Sequence, residues 1–297
     1  MTAVPPPLDH GGDGLAVALA LALDPATVVD LSMSLNPFAP DVVALAGRHL
    51  GALRRYPDRR EATALLAEVI GVDTERLVLT NGGSEAIALV AVAMGGGVVR
   101  EPEFSLHPRG TGGPRWCSNP HNPSGRLAGP DDGADVWDEA YYPLAAGTWT
   151  RGDGGSVVVG SLTKVFACPG LRLGYVLADD APRLTTGQPE WPVGGLALAV
   201  LADLLAAADL PGWRASIARR REELVALLRT HGLIADAADA PWVLVAAPDL
   251  RVRLAPHGVV VRDCTSFGMP GVVRIAVPDD RGLLALDDAL RRIREGA

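Results

Sequence analysis

The sequence predicts an α/β fold, with a large mixed-sheet domain followed by a small α+β domain at the carboxyl end. Three observations carry this. The apolar run Leu77-Val78-Leu79-Thr80 breaks at Asn81-Gly82-Gly83 and passes into Ser84-Glu85-Ala86-Ile87-Ala88-Leu89-Val90, which reads as strand, glycine turn and helix start. Ser156-Val157-Val158-Val159-Gly160 is a second short buried strand, β-branched and closed by glycine. Beyond residue 190 the alternation of strand and helix gives way to two helical stretches, then strands, then a final helix.

Taken in order, residues 1–30 read as a Pro-rich arm and an amphipathic or buried helix, 31–190 as the large domain, and 191–297 as the small one. In the large domain Gly110-Thr111-Gly112-Gly113-Pro114 leaves room for little more than a turn before a short strand at Arg115 to Ser118. Asp179 to Pro192, rich in proline, reads as the hinge side. Gly194 to Ala208 is an Ala/Leu-rich helix. Trp213 to His231 is a helix whose run Arg219-Arg220-Arg221-Glu222-Glu223 interleaves acids with bases, an exposed face rather than a binding patch. Two or three strands, one of them Gly271 to Val277, and a helix at Gly282 to Glu295 complete the small domain.

The chain has 297 residues, 48% of them hydrophobic, enough for one large core or two domains. A net charge of −8 argues against nucleic acid or an anionic membrane as the main partner. Cys117, Cys168 and Cys264 are odd in number and widely spaced, so neither a disulfide framework nor a zinc site is expected, and no metal. The start lacks the basic n-region of a signal peptide, and the longest apolar stretch, Leu15 to Leu23, is too short to span a bilayer. The expected location is the cytoplasm.

One residue points to chemistry. Lys164 is the only lysine; the other 26 of the 27 basic side chains are arginine. A guanidinium stays protonated in proteins, whereas a desolvated ammonium can lose its proton and attack a carbonyl to form an imine. Lys164 lies just past the carboxyl end of the 156–160 strand, where open α/β sheets bind ligands.

Ser161-Leu162-Thr163-Lys164, followed eight residues later by Arg172, resembles the phosphate-and-imine segment of fold-type I pyridoxal-phosphate (PLP) enzymes, the class I/II aminotransferase superfamily. The resemblance implies the aspartate aminotransferase-like PLP-dependent transferase fold and PLP as cofactor, with Lys164 as the Schiff-base residue. It implies that Ser161, Thr163 and Arg172 hold the cofactor phosphate with the backbone of Gly83 and Ser84, where a helix N-terminus favours an anion. Glu101-Pro102-Glu103-Phe104 resembles the family's Pro-x-aromatic step, making Phe104 the ring that stacks on the pyridine. Asn119-Pro120-His121-Asn122-Pro123-Ser124-Gly125 is similar to the family's Asn-Pro-x-Asn-Pro-Thr-Gly, with Asn122 on the cofactor's 3′-oxygen. Asp138-Glu139-Ala140-Tyr141 matches its Asp-Glu-Ala-Tyr, with Asp138 on the pyridinium nitrogen and Tyr141 beside Asn122. Arg274 in its apolar strand would grip the substrate carboxylate. Tyr56, in Arg54-Arg55-Tyr56-Pro57-Asp58, would reach the cofactor phosphate of a neighbouring subunit, implying a homodimer.

Two further segments narrow the resemblance. His10-Gly11-Gly12-Asp13 with Asp30 to Pro40, and Val261 to Gly268, look like the corresponding segments of threonine-phosphate decarboxylases of cobalamin biosynthesis. On that likeness His10 contacts a substrate phosphate, and Asn36 and Arg274 join it at the substrate. The expected reaction is decarboxylation of L-threonine O-3-phosphate. Alternatives are an aminotransferase on histidinol phosphate or another amino acid and, from another class, a non-catalytic scaffold of the same fold. The intervals from Phe104 to Asn122 and from Asn122 to Asp138 are shorter than the family's, so the sheet is expected to be trimmed there and the substrate pocket altered.

Overall fold

The computed structural model describes residues 3–152 and 155–296. In chain order the strands are β1 (Val29–Leu31), β2 (Leu77–Asn81), β3 (Trp116–Ser118), β4 (Val136–Asp138), β5 (Val157–Ser161), β6 (Leu173–Leu177), β7 (Ala235–Ala237), β8 (Trp242–Ala246), β9 (Val259–Asp263) and β10 (Val272–Ala276). The helices are α1 (Gly14–Ala20), α2 (Val42–Gly47), α3 (Arg60–Ile70), α4 (Gly82–Ala93), α5 (Tyr142–Ala146), α6 (Leu162–Val165), α7 (Ala181–Thr185), α8 (Gly195–Ala206), α9 (Leu210–Thr230), α10 (Leu250–Leu254) and α11 (Asp280–Glu295).

The first sheet has the order β2-β6-β5-β4-β3. Strands β3, β4 and β5 are parallel, and β6 is antiparallel to both β5 and β2. Its side chains alternate in the period of a strand. Leu79, Trp137, Val158 and Tyr175 enter one core, packed against α3, α8 and the start of α9. Val78, Val136, Val159 and Val176 enter another, beneath α4 and α7. With both faces covered, the strands read as unbroken apolar runs, which is why the sequence shows them plainly.

The second sheet has the order β1-β9-β10-β8-β7. One face, including Val243, Val261 and Ile275, is closed by α10, α11 and the second half of α9, through Leu254, Leu286 and Leu224. The alternate positions on β9 and β10 carry Arg262 and Arg274, paired in register across the two antiparallel strands. Those two arginines face the first sheet and form one wall of the site.

Packing departs from the sequence division in three places. β1 joins the second sheet by parallel pairing with β9, so the chain crosses to the first sheet only after residue 31. α8 lies beyond residue 190 but shares the first sheet's core, because its apolar face (Ala197, Val200, Leu201, Leu204) packs on α2 and α3. The change of core falls inside α9, between Ile217 and Leu224. The carboxyl-terminal part contributes four strands rather than two or three; β7 was not legible because Ala235-Asp236-Ala237 is only three residues long and has no β-branched or aromatic residue.

The shortened interval folds as the sequence expects at its end. Val98 makes a single parallel bridge with Arg115, and the Gly-rich turn leads directly into β3. Gly97 is required there, since a Cβ would lie 2.3 Å from Trp116 Nε1 and 2.8 Å from the Pro114 carbonyl. Among the described residues, no single helix is long and apolar enough to cross a membrane.

Candidate active site

A cavity of about 250 Å³ opens at the carboxyl ends of β4 and β5, between the two sheets. It is lined by His10, Gly83, Ser84, Phe104, Asn122, Asp138, Tyr141, Ser161, Thr163, Lys164, Arg172 and Arg274, so the structure brings together twelve of the fourteen residues singled out in the sequence.

The floor is the turn from β2 into α4. Gly82 has φ +74°, and a Cβ there would lie 2.4 Å from Nη2 of Arg172. Only glycine permits both that backbone and that approach. Arg172 itself has φ +56°, unusual for a non-glycine residue, and its Nη2 donates to the Asn81 carbonyl at 3.3 Å. Gly174 is equally constrained, since its Cβ would fall 2.5 Å from the Gly82 carbonyl carbon. Backbone N–H groups of a helix start, a guanidinium and the hydroxyls of Ser161 and Thr163 thus surround one end of the cavity. The Thr163 hydroxyl also donates to the Leu173 carbonyl at 3.3 Å.

The opposite wall is cationic. Arg274, 2% exposed, donates from Nη1 to Asn122 Oδ1 at 2.8 Å and stacks over the Trp242 ring at 4.7 Å. Arg262, also buried, donates from Nη2 to the Asp9 carbonyl at 2.6 Å and lies over the Phe267 ring. Burial, then Arg274, pushes its pKa down to about 10. The Nε of each arginine is buried without a hydrogen-bond partner. Lys164 Nζ lies 5.8 Å from the centre of the Tyr141 ring. Burial alone would push the Tyr141 phenol up, but Lys164, Arg274 and Arg262 outweigh it and the phenol sits below its ordinary value. An amine, a phenol and two guanidiniums in one cavity suit a ligand with anionic groups.

At the amino-terminal edge, Gly12 N donates to Ser32 Oγ and Gly14 N to Asp30 Oδ2, while the buried Arg251 pairs with Asp13. These contacts seat His10 with its ring 5.6 Å from Phe104, edge to face, and Nδ1 3.3 Å from Ser105 Oγ. Burial, then Arg262 and Lys164, hold the His10 pKa below its ordinary value against the pull of Asp9.

Two sequence-derived candidates lie elsewhere. Asn36 is buried, but both ends of its amide serve backbone: Nδ2 donates to the Val165 carbonyl and Oδ1 accepts from Phe38 N. Its own N–H donates to the Lys164 carbonyl, so Asn36 braces the segment carrying the lysine and does not line the cavity. Tyr56 is 78% exposed, stacks on Trp191 at 4.4 Å, and lies in a separate groove.

Three contributors were not singled out. His107 is wholly buried and its Nε2 lies 3.0 Å from Asp138 Oδ2; Ala140 N donates to Oδ1 of the same carboxylate. Glu103 is buried beside it. Arg109 donates to the carbonyls of Glu103, Phe104, Ser105 and His107, fastening the loop that carries Phe104 and His107. None of these has periodicity to mark it. A histidine three residues after Phe104 was the one signal available.

Comparison with known proteins agrees with this architecture. The model of the family "Aminotransferase class I and II" matches residues 116–290. Histidinol-phosphate aminotransferase 1 of Dechloromonas aromatica is 28% identical, across 89% of this chain and 90% of that protein, over an alignment of 330 positions. Histidinol-phosphate aminotransferase of Sinorhizobium meliloti, solved in complex with pyridoxal-5′-phosphate, superposes with a TM-score of 0.75 at 16% identity, covering 96% of this chain and 95% of that one. L-threonine-O-3-phosphate decarboxylase of Porphyromonas gingivalis superposes with a TM-score of 0.71 at 22% identity, covering 89% and 99%. The fold is therefore aspartate aminotransferase-like, and the chain belongs to the class I and II aminotransferase family.

Proposed function

We propose that this chain is a PLP-dependent enzyme acting on an amino acid or amine that carries a distal anion, with decarboxylation of L-threonine O-3-phosphate as the favoured reaction. One observation carries the reading. The sole lysine shares a cavity with two buried guanidiniums, Arg262 and Arg274, whose hydrogen bonds go to an amide and a carbonyl rather than to a carboxylate. Buried cations of this kind are costly unless an anion answers them. Two of them suit a substrate with two anionic groups.

The residues present fit the cofactor. The Gly82–Arg172 approach and the α4 N-terminus, with Ser161 and Thr163, would hold its phosphate. Phe104 would stack on its ring, Asp138 would face the ring nitrogen, and Asn122 with Tyr141 would hold the 3′-oxygen. When bound, pyridoxal phosphate supplies a ring that accepts the electron pair released at the substrate's Cα. The chain's own residues do the rest. Arg274 binds the substrate α-carboxylate, and its bond to Asn122 ties that carboxylate to the cofactor side. Arg262 and His10 bind the distal phosphate. Lys164 holds or delivers the proton at Cα. Orientation by these cations decides which Cα bond is labile.

A second reading, transamination of histidinol phosphate, is favoured by the names of the sequence relatives. Product analysis separates the two. Incubation with L-threonine O-3-phosphate is expected to release CO2 and a phosphorylated amine, while histidinol phosphate with 2-oxoglutarate is expected to give no glutamate. The opposite outcome establishes the aminotransferase. A protein that yields neither product and binds no PLP is the non-catalytic scaffold.

We also infer a homodimer. Tyr56 and the neighbouring Leu50 and Leu53 are exposed away from their own cavity, as residues that complete a second copy's site would be. Light scattering of the purified chain checks this; a monomeric mass would remove Tyr56 from the site.

A further inference from the structure

We propose that Trp242 is a positioning residue for carboxylate recognition, which carries the Arg274 guanidinium on its ring face and holds the Asn122 loop with its indole N–H. It lies behind the cavity wall and acts through Arg274. This rests on the reading of Arg274 as the residue that binds the substrate α-carboxylate.

The strand register brings the two side chains together. β8 and β10 pair antiparallel, with Arg274 opposite Leu244 and Ala276 opposite Trp242. Side chains alternate along a strand, so Trp242, Leu244 and Arg274 share one face of the sheet. Trp242 is the diagonal neighbour of Arg274, a separation that an aromatic ring and a long side chain can bridge. The guanidinium carbon lies 4.7 Å from the ring centre, and both side chains are buried.

A guanidinium at this depth needs compensation. A carboxylate partner would supply it, but would also occupy the donors that a substrate carboxylate needs. An indole face attracts the cation through its quadrupole and accepts no hydrogen bond, and tryptophan is the strongest of the aromatic rings in that role. Among the described residues, the Arg274 side chain donates to Asn122 Oδ1 at 2.8 Å, and its Nε is without a partner. The fork therefore keeps donor capacity for an anion.

The same ring fixes the far end of that bond. Trp242 Nε1 donates to the Pro123 carbonyl at 2.8 Å, one residue after Asn122. Gly125 docks the loop on the residues leading into β8: its carbonyl accepts from Asp239 N and Ala240 N at 3.0 Å, and a Cβ on it would lie 3.3 Å from Trp242 Nε1. Tyr141 meets the indole edge to face at 4.8 Å. One side chain thus sets Arg274, the Asn122 loop and Tyr141 relative to one another.

The test is calorimetric titration of the PLP-loaded protein with two unreactive probes. One is 3-(phosphonooxy)butanoate, which has a carboxylate and a phosphate but no amine. The other is isopropyl phosphate, which has the phosphate alone. The unsubstituted protein is expected to prefer the carboxylate probe. Trp242→Leu is expected to weaken that probe by about tenfold and to leave isopropyl phosphate unchanged. Trp242→Phe, which keeps a ring face, is expected to restore the affinity to within about threefold. A Trp242→Leu variant that weakens both probes alike shows a general loss of packing and overturns the proposal, as does one that weakens neither. Arg274→Leu separates the failures. If it abolishes the preference while Trp242→Leu keeps it, only the role of Trp242 is wrong. If Arg274→Leu keeps the preference, or the unsubstituted protein shows none, the reading of Arg274 is wrong and the proposal falls with it.

Discussion

Replacing Glu139 by glutamine is expected to stabilise the protein at alkaline pH and to leave it unchanged in acid. Glu139 follows Asp138 at the end of β4 and is fully buried. Its oxygens accept from Arg151 N at 3.2 and 3.3 Å. Burial pushes its pKa from 4.5 up to about 7, against the pull of Thr150 and Arg151. A carboxyl raised in this way binds its proton more tightly in the folded chain than in the unfolded one. Unfolding then releases a proton, so stability is full below about pH 4.5 and falls until the folded group itself ionises near pH 7. At about 1.4 kcal/mol per pH unit across that window, the loss reaches about 3 kcal/mol. Glutamine keeps an oxygen for Arg151 N and never ionises, so it removes the loss. Urea unfolding followed by far-UV circular dichroism, on both proteins at pH 4 and pH 8, measures the difference. The gap in stability should favour glutamine by up to about 3 kcal/mol at pH 8 and shrink to near zero at pH 4. Parallel stabilities at the two pH values would show that Glu139 titrates like an exposed acid despite its burial.

Gly82→Ala would set a methyl group 2.4 Å from Arg172 Nη2 and force apart the floor of the cavity. Its affinity for PLP, followed by fluorescence titration, is expected to fall by about tenfold or more, the loss of one charge-assisted contact; an unchanged affinity removes this turn from the phosphate site. His10→Ala is expected to weaken binding of phosphorylated amines by about tenfold while sparing PLP. Because burial and Arg262 hold the His10 pKa down, its positive charge grows only as pH falls, so binding of a phosphorylated substrate should strengthen on the acid side and lose that dependence in His10→Ala. Identical kinetics in the two proteins across pH would detach His10 from the substrate.

Much of the site was legible because its residues sit at strand ends and turns, where residue type itself carries information. Gly82 marks a turn whose backbone and close approach to Arg172 call for glycine, Asn122 stands between two prolines, and Lys164 is the one lysine in a chain of arginines. Strands buried on both faces, such as β5, announce themselves as apolar runs. What could not be read depends on packing at a distance. Asn36 lies in a motif that suggests a substrate contact, yet its amide is consumed by the Val165 carbonyl and Phe38 N, which only the fold brings near. Glu103 and His107 occupy a non-periodic loop, and their burial follows from Arg109 fastening that loop over Trp116. β1 is too short to reveal which sheet it joins; its parallel partner β9 lies more than two hundred residues away. The division of cores within α9 is hidden because a continuous helix carries no break in its pattern where the neighbouring sheet changes.

Lys164 is expected to be the amine to which the cofactor is joined. Borohydride reduction of the PLP-saturated protein, followed by peptide mass analysis, tests it directly. The expected result is a yellow protein whose visible band disappears on reduction, with one pyridoxyl group on the peptide containing Ser161-Leu162-Thr163-Lys164, and with no band and no label in Lys164→Ala. A protein that refuses PLP, or a Lys164→Ala variant that keeps the same visible band, would contradict it.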